Sequence, residues 1–267
     1  MLIFFDTETT GLPNFKLNAD DPSQPRIAAL AAILCDDKLN VRGLSHCLIK
    51  PEGWSMPEDI AKINGLSDDI LRESGVPIRD ALAVLHSWLH RGCTIVAHNV
   101  QFDLKMLRGE LRRLDMPDYY DRTYLFCTQM ANISILKLEP KGGKRHADHF
   151  KYPNLGETFK YYFDKEMGGA HGAYNDALAV KRIYGEMLIR KVDMTPKAPK
   201  GPNDATMAPR PQSKAVPKDG TVAKDRVDEV DRSSTMERAD PKEGTEIRDR
   251  AEIVDSTDSV EPKLNIF

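Results

Sequence analysis

An excess of positive charge is the first thing this sequence lacks. Lys and Arg number 38 against 41 Asp and Glu, a formal net charge of −3, so no surplus of basic side chains exists to hold a polyanion over the whole surface. Any nucleic-acid contact must be local. Cysteine is scarce and scattered: Cys35, Cys47, Cys93 and Cys127 form no C-x-x-C pair. That spacing argues against a zinc ribbon or a disulfide framework and for reduced thiols. No apolar run is long enough to span a bilayer. The stretch from Met1 to Asp6 has no basic region, and its apolar run is too short for a secretory signal. These absences lead to the expectation of a soluble cytoplasmic protein with no membrane contact.

At 267 residues and 40% hydrophobic content, the chain can bury one good core but exceeds the usual size of one compact domain. Composition changes near Met194. Residues 195–267 are rich in Pro, Lys, Asp, Glu, Ser and Thr, and their only leucine and only aromatic residue are Leu264 and Phe267. Such a segment cannot offset its ordering entropy by burial, so the expectation is a folded domain at 1–194 followed by a disordered tail. Within the domain, strand-like and helical patterns alternate, which favours an α/β fold. Strands are expected at 2–5, 27–35, 41–49, 94–97 and 123–126. Helices are expected after Ser67, after Pro77 through Trp88, along the stripe Leu104, Leu107, Leu111 and Leu114, from the capping box of Asn154 and Glu157 that opens another, and from Ala173 to about Lys191. The last carries an apolar stripe of Ala177, Val180, Tyr184, Met187 and Leu188.

Chemistry begins with Asp6-Thr7-Glu8. Side chains two apart in a strand share a face, so these carboxylates project together at the carboxyl end of a buried strand, just before the Gly11-Leu12-Pro13 breaker. A D-x-E pair alone is common, and two solvated acids would explain it. A second segment, His98-Asn99-Val100-Gln101-Phe102-Asp103, follows a short strand and opens a helix. There Asp103 could merely complement the helix dipole and Asn99 cap it. A third, His171-Gly172-Ala173-Tyr174-Asn175-Asp176, opens the final amphipathic helix.

Together the three segments resemble the ExoI, ExoII and ExoIII motifs of the DEDD exonuclease superfamily, in the same chain order and on matching element types. His171, five residues before Asp176, corresponds to the DEDDh branch, and the chain is similar to the proofreading epsilon subunits of bacterial DNA polymerase III. Gly172 stands where many relatives carry an acid. The resemblance covers about residues 1–191. It implies a ribonuclease-H-like fold, a five-stranded mixed sheet flanked by helices that gathers the motifs at one edge. It also implies 3′→5′ hydrolysis of single-stranded DNA ends to nucleoside 5′-monophosphates, in proofreading or end trimming, in a bacterial or phage-infected cell.

Asp6, Glu8, Asp103 and Asp176 would be the metal ligands, and His171 the base that takes a proton from the attacking water. Two carboxylates about 4 Å apart repel by roughly 4 kcal/mol at an effective dielectric of about 20, so four of them demand cations. All-oxygen ligands suit two Mg²⁺ ions, with Mn²⁺ as a substitute. Thr9, Leu12, His98 and Phe102 would hold the 3′-terminal nucleotide, with core packing as the alternative for Leu12 and Phe102. Lys141, Lys144, Arg145, His146 and His149 would track phosphates or form a solvated loop. The ending Lys263-Leu264-Asn265-Ile266-Phe267 resembles the peptide by which bacterial replication proteins dock in the sliding clamp, with Leu264, Ile266 and Phe267 as anchors and Lys263 in place of the usual Gln. A flexible tether of about 70 residues would span roughly 45–50 Å and keep the enzyme near a clamp or a DNA polymerase. The alternatives are an exoribonuclease of the same family and a noncatalytic module binding nucleic-acid ends.

Overall fold

The computed structural model describes residues 1–140, 150–168 and 172–198, all within one unit, Met1–Gln212. The strands are β1 (Leu2–Thr9), β2 (Ile27–Cys35), β3 (Val41–Leu48), β4 (Thr94–Ala97) and β5 (Tyr124–Cys127). The helices are α1 (Glu58–Asn64), α2 (Asp68–Ser74), α3 (Ile78–His90), α4 (Val100–Arg113), α5 (Thr128–Leu136), α6 (Leu155–Phe163) and α7 (Ala173–Ile189).

Among the described residues the five strands form one sheet in the order β3-β2-β1-β4-β5. β1 pairs antiparallel with β2 and parallel with β4, and β4 pairs parallel with β5. The sheet is therefore mixed, and helices cover both of its faces. On one face, α3 and α4 pack over Ile3, Phe5, Leu30 and Ile95; on the other, α6 and α7 pack over Phe4, Ala31, Ile33 and Val96. β2 is buried at all nine positions, as a strand covered on both faces must be. Its Ala28, Ala29, Ala31 and Ala32 let the helices approach closely. The ring of Tyr184 on α7 meets Phe4 and Phe126 edge-on, at centroid distances of 5.4 and 5.3 Å, a favoured aromatic geometry.

Most expected elements form, with shifted ends. β1 runs on through Thr9 rather than stopping at Phe5, because pairing with β2 continues as far as Ile27 opposite Thr9. The Asn154–Glu157 capping box is present, and the Ser67 side chain accepts from the Ile70 amide at 3.3 Å. Leu188 departs from its expected place in the α7 stripe: it is 42% exposed, and Ile183 is fully buried instead. α1 and α5 have no counterpart in the sequence reading. Lys141, Lys144, Arg145, His146 and His149, the tail beyond 198 and its terminal peptide with Leu264, Ile266 and Phe267 lie outside the described residues. No described helix is long and apolar enough to cross a membrane, and all four cysteines are free.

Between β1 and β2 the chain makes a long excursion that folds back onto α4. Gln24 ties it together, with Nε2 donating to the carbonyls of Asn14 and Asn18 and Oε1 accepting from the Asn14 amide. Besides Asp103, three charged residues of α4, Lys105, Arg108 and Glu110, are almost wholly buried, which is tolerable only with partners. Lys105 donates to the Leu17 carbonyl. Glu110 accepts from Arg26 Nε and Nη2 at 2.7 and 2.9 Å and from the Ile27 amide at 3.3 Å. Arg108 bonds Asp118 at 2.7 Å and lies over the Tyr120 ring. A Cβ at Gly109 would collide with the Ala19 carbonyl oxygen, so glycine is required where the excursion crosses the helix.

Candidate active site

The three sequence motifs meet at the carboxyl ends of β1 and β4, in the middle of the sheet rather than on an edge strand. Residue parity places Asp6 and Glu8 on the β1 face shared with Phe4, beneath α7. Asp176 enters from the first turn of α7. One carboxylate oxygen from each of Asp6, Glu8 and Asp176 lies within 4.8 Å of the other two.

Asp103 arrives from the opposite face, in the first turn of α4, where it is 2% exposed. Its Oδ1 accepts from the Thr7 amide at 3.0 Å and from the Thr7 hydroxyl at 2.9 Å. This goes well beyond complementing a helix dipole. The strand residue between the two acids points the other way and clamps the third. Thr7 was missed in the sequence, although the alternation that puts Asp6 and Glu8 on one face puts Thr7 on the other. Asn99 does occupy the N-cap position of α4 but is left-handed, with φ 70°, and makes no side-chain cap bond.

The four acids feel one another. Burial raises the Asp6 pKa well above the usual carboxylate value, and the charges of Asp103, Asp176 and Glu8 push it further in the same direction. Burial also pushes Asp103 up to about 7, with Glu8 adding to the rise and the Thr7 bonds opposing it. Ionising the set is costly in the protein alone, and a divalent cation among hard oxygen donors reverses the sign of that cost. Donor type and spacing therefore fit a divalent metal.

His98 is held at both ring nitrogens. Nε2 lies 2.9 Å from the Pro153 carbonyl, which can only accept, so Nε2 carries the proton, and Nδ1 lies 3.0 Å from the Thr128 hydroxyl. Burial lowers its pKa to about 4, leaving a neutral strut between the β4–α4 turn, α5 and the start of α6. Its ring carbons alone remain for a nucleotide. Thr9 is buried and donates to the Gly11 carbonyl at 2.7 Å. Phe102 is half-buried and packs against the α3–α4 core, whereas Leu12 is 86% exposed. Core packing thus holds in part for Phe102 and fails for Leu12. His171 lies outside the described residues; its neighbour Gly172 is the extended N-cap of α7 and accepts the Asp176 amide at 3.1 Å.

A family model described as RNase_T, exonuclease, matches residues 3–184. The DNA polymerase III subunit epsilon of Rickettsia typhi is 29% identical over 188 residues, spanning 68% of this chain and 71% of that protein. The Three-prime repair exonuclease 1 of Bos taurus is 28% identical over 224 residues, 72% of this chain and 66% of that protein. E. coli Exonuclease I, solved in complex with a dT13 oligonucleotide, superposes with a TM-score of 0.56 at 22% identity. That similarity covers 71% of this chain and only 41% of the solved one, so it speaks for the fold. With a match running through most of the folded unit, from β1 to α7, this chain belongs to the RNase_T exonuclease family and is a DEDD-type 3′→5′ exonuclease.

Proposed function

We propose that this enzyme removes nucleotides one at a time from the 3′ ends of single-stranded DNA, releasing nucleoside 5′-monophosphates, and that it serves proofreading or end trimming. The observation that carries this reading is the meeting of Asp6, Glu8 and Asp176 within 4.8 Å, beside an Asp103 fixed by Thr7. Asp6, Glu8 and Asp176 would hold one Mg²⁺, and Asp6 with Asp103 would support a second, with Mn²⁺ as a substitute. When bound, the two ions polarise the phosphodiester and offset charge on the attacking and departing oxygens. His171 accepts a proton from the attacking water, whose oxygen bonds to phosphorus as the bond to the preceding 3′ oxygen breaks. Solvent protonates that oxygen. Thr9, Leu12, His98 and Phe102 seat the terminal nucleotide.

DNA is favoured over RNA by the company this chain keeps: a DNA polymerase subunit among its relatives and a neighbour solved with a deoxyoligonucleotide. Association with a DNA polymerase is supported by the polymerase subunit among its relatives, and docking of Leu264, Ile266 and Phe267 in a sliding clamp by the resemblance of the terminal peptide. The test compares single-stranded DNA, 3′-mispaired DNA and short RNA, with Mg²⁺ and then with chelator, for the parent and Asp6→Ala. Release of deoxynucleoside monophosphates, lost with chelator and in Asp6→Ala, is expected. Equal turnover in Asp6→Ala would discard the site, and faster RNA hydrolysis would discard the substrate. In a second arm, deleting residues 263–267 should abolish retention on immobilised clamp and leave oligonucleotide hydrolysis intact; undiminished retention removes the docking peptide from the proposal.

A further inference from the structure

The sheet order gives the catalytic turn two different flanks. His98 and Phe102 follow β4, on one side of β1. On the other side β2 begins and β3 ends at the same level, because β2 runs antiparallel to both neighbours. There the turn after β1, the end of the excursion and the loop after β3 enclose a cleft of about 390 Å³, with Gly11, Leu12, Pro22, Pro25, Arg26 and Trp54 in its walls. Trp54 is half-buried and packs against two of the apolar clusters, so its position is set by the core while part of it faces the cleft.

Arg26 is the one cation in those walls, and Glu110 engages its guanidinium through two bonds. Its charge is thus balanced inside the protein. What remains is a nearly neutral slot, with Thr10, Ser23 and Gln24 beside Leu12 and the prolines in its walls, ending in an indole. Such a slot is poor for a phosphate and suited to a flat aromatic group. We propose that it seats the nucleobase of the nucleotide next to the one being removed, stacked on Trp54. This rests on the single-strand exonuclease reading, in which the terminal nucleotide lies toward His98 and Phe102 and the strand crosses the Gly11–Leu12 turn to leave. Stacking accepts every base, since each has a π-face. It also needs no phosphate contact at this point of the strand, in keeping with a chain of net charge −3.

The test uses the full chain and its Trp54→Ala and Trp54→Phe variants on two substrates: a single-stranded oligonucleotide and the p-nitrophenyl ester of thymidine 5′-monophosphate, which has no second nucleoside. Trp54→Ala should lose about tenfold in kcat/KM on the oligonucleotide, through KM, and nothing on the ester; Trp54→Phe should recover most of the loss. Unchanged oligonucleotide kinetics, or equal loss on both substrates, would overturn the proposal. A second measurement needs no turnover. Trp88→Phe leaves Trp54 as the sole tryptophan, and oligo-dT added in chelator should quench its fluorescence. Absence of quenching at saturation, with binding followed by anisotropy, overturns the cleft assignment. Quenching by a parent protein that hydrolyses neither substrate would keep the base site and remove the exonuclease reading instead.

Discussion

Thr7 has no chemistry of its own at the site, yet it decides where one acid stands. Its amide would be there with any residue, but its hydroxyl supplies the second bond to Asp103 Oδ1. Thr7→Val keeps size and β-branching and removes only that donor. Turnover should fall about 10- to 100-fold, as for the loss of other groups that orient ligands, and the Mg²⁺ needed for half-maximal rate should rise. An unchanged metal titration would reduce Thr7 to packing. Asp103 has a consequence for stability as well. Its folded pKa of about 7 lies above the ordinary 3.8, so between these values the folded protein holds a proton that the unfolded chain has released. The contribution is complete at low pH and is lost as pH rises through about 7. In chelator, Asp103→Asn, which imitates the protonated acid, should gain on the parent in Tm as pH goes from 5 to 8. A gap independent of pH would contradict the buried, metal-free carboxylate. Both effects were out of reach of the sequence, where Thr7 reads as a spacer and Asp103 as a first-turn acid.

At the scale of elements, the long excursion between β1 and β2 is fastened to α4 by buried charged side chains. Glu110 is its main post: it is 1% exposed and bonds Arg26 and the Ile27 amide. Glu110→Ala leaves Arg26 without its partner in a largely enclosed position, and about 3–5 kcal/mol of stability should go with it, read from denaturant unfolding; a loss below about 1 kcal/mol would show that the pair is dispensable. The β-strands and α3, α4, α6 and α7 were legible because each carries a strong period or a cap: a continuous apolar run in β2, leucines at helical spacing in α4, Asn154 and Glu157 at α6. α5 escaped because it has neither acid nor base in its end turns, and its N-cap acceptor is the Cys127 sulfur. α1 spans only Glu58–Asn64 and has no side-chain cap, although Gly65 in the left-handed region closes it. The three motifs were readable one by one. The salt links between the excursion and α4 were not, since pairs such as Arg26 and Glu110 are 84 residues apart and no local pattern joins them.

For the molecule as a whole, the acid cluster trades stability for a place to hold metal. Saturating Mg²⁺ should therefore raise Tm: at about 100 times its Kd a ligand confined to the folded state adds roughly 2.7 kcal/mol, or on the order of 5–10 °C for a domain of this size. Asp6→Asn should blunt the shift, and a parent Tm indifferent to Mg²⁺ would mean that no ion is held. One last consequence comes from the position of β1, paired along its length with β2 and on its other side with β4. Asp6 and Glu8 are carried by the central strand and not by a loop, where Ala31 and Ala29 of β2 face them, so letting these two groups drift apart should require β1 to part from β2. Heat inactivation should superimpose on the calorimetric transition without an earlier phase, and the amides of Asp6 and Glu8 should exchange with deuterium only as fast as the entire domain opens.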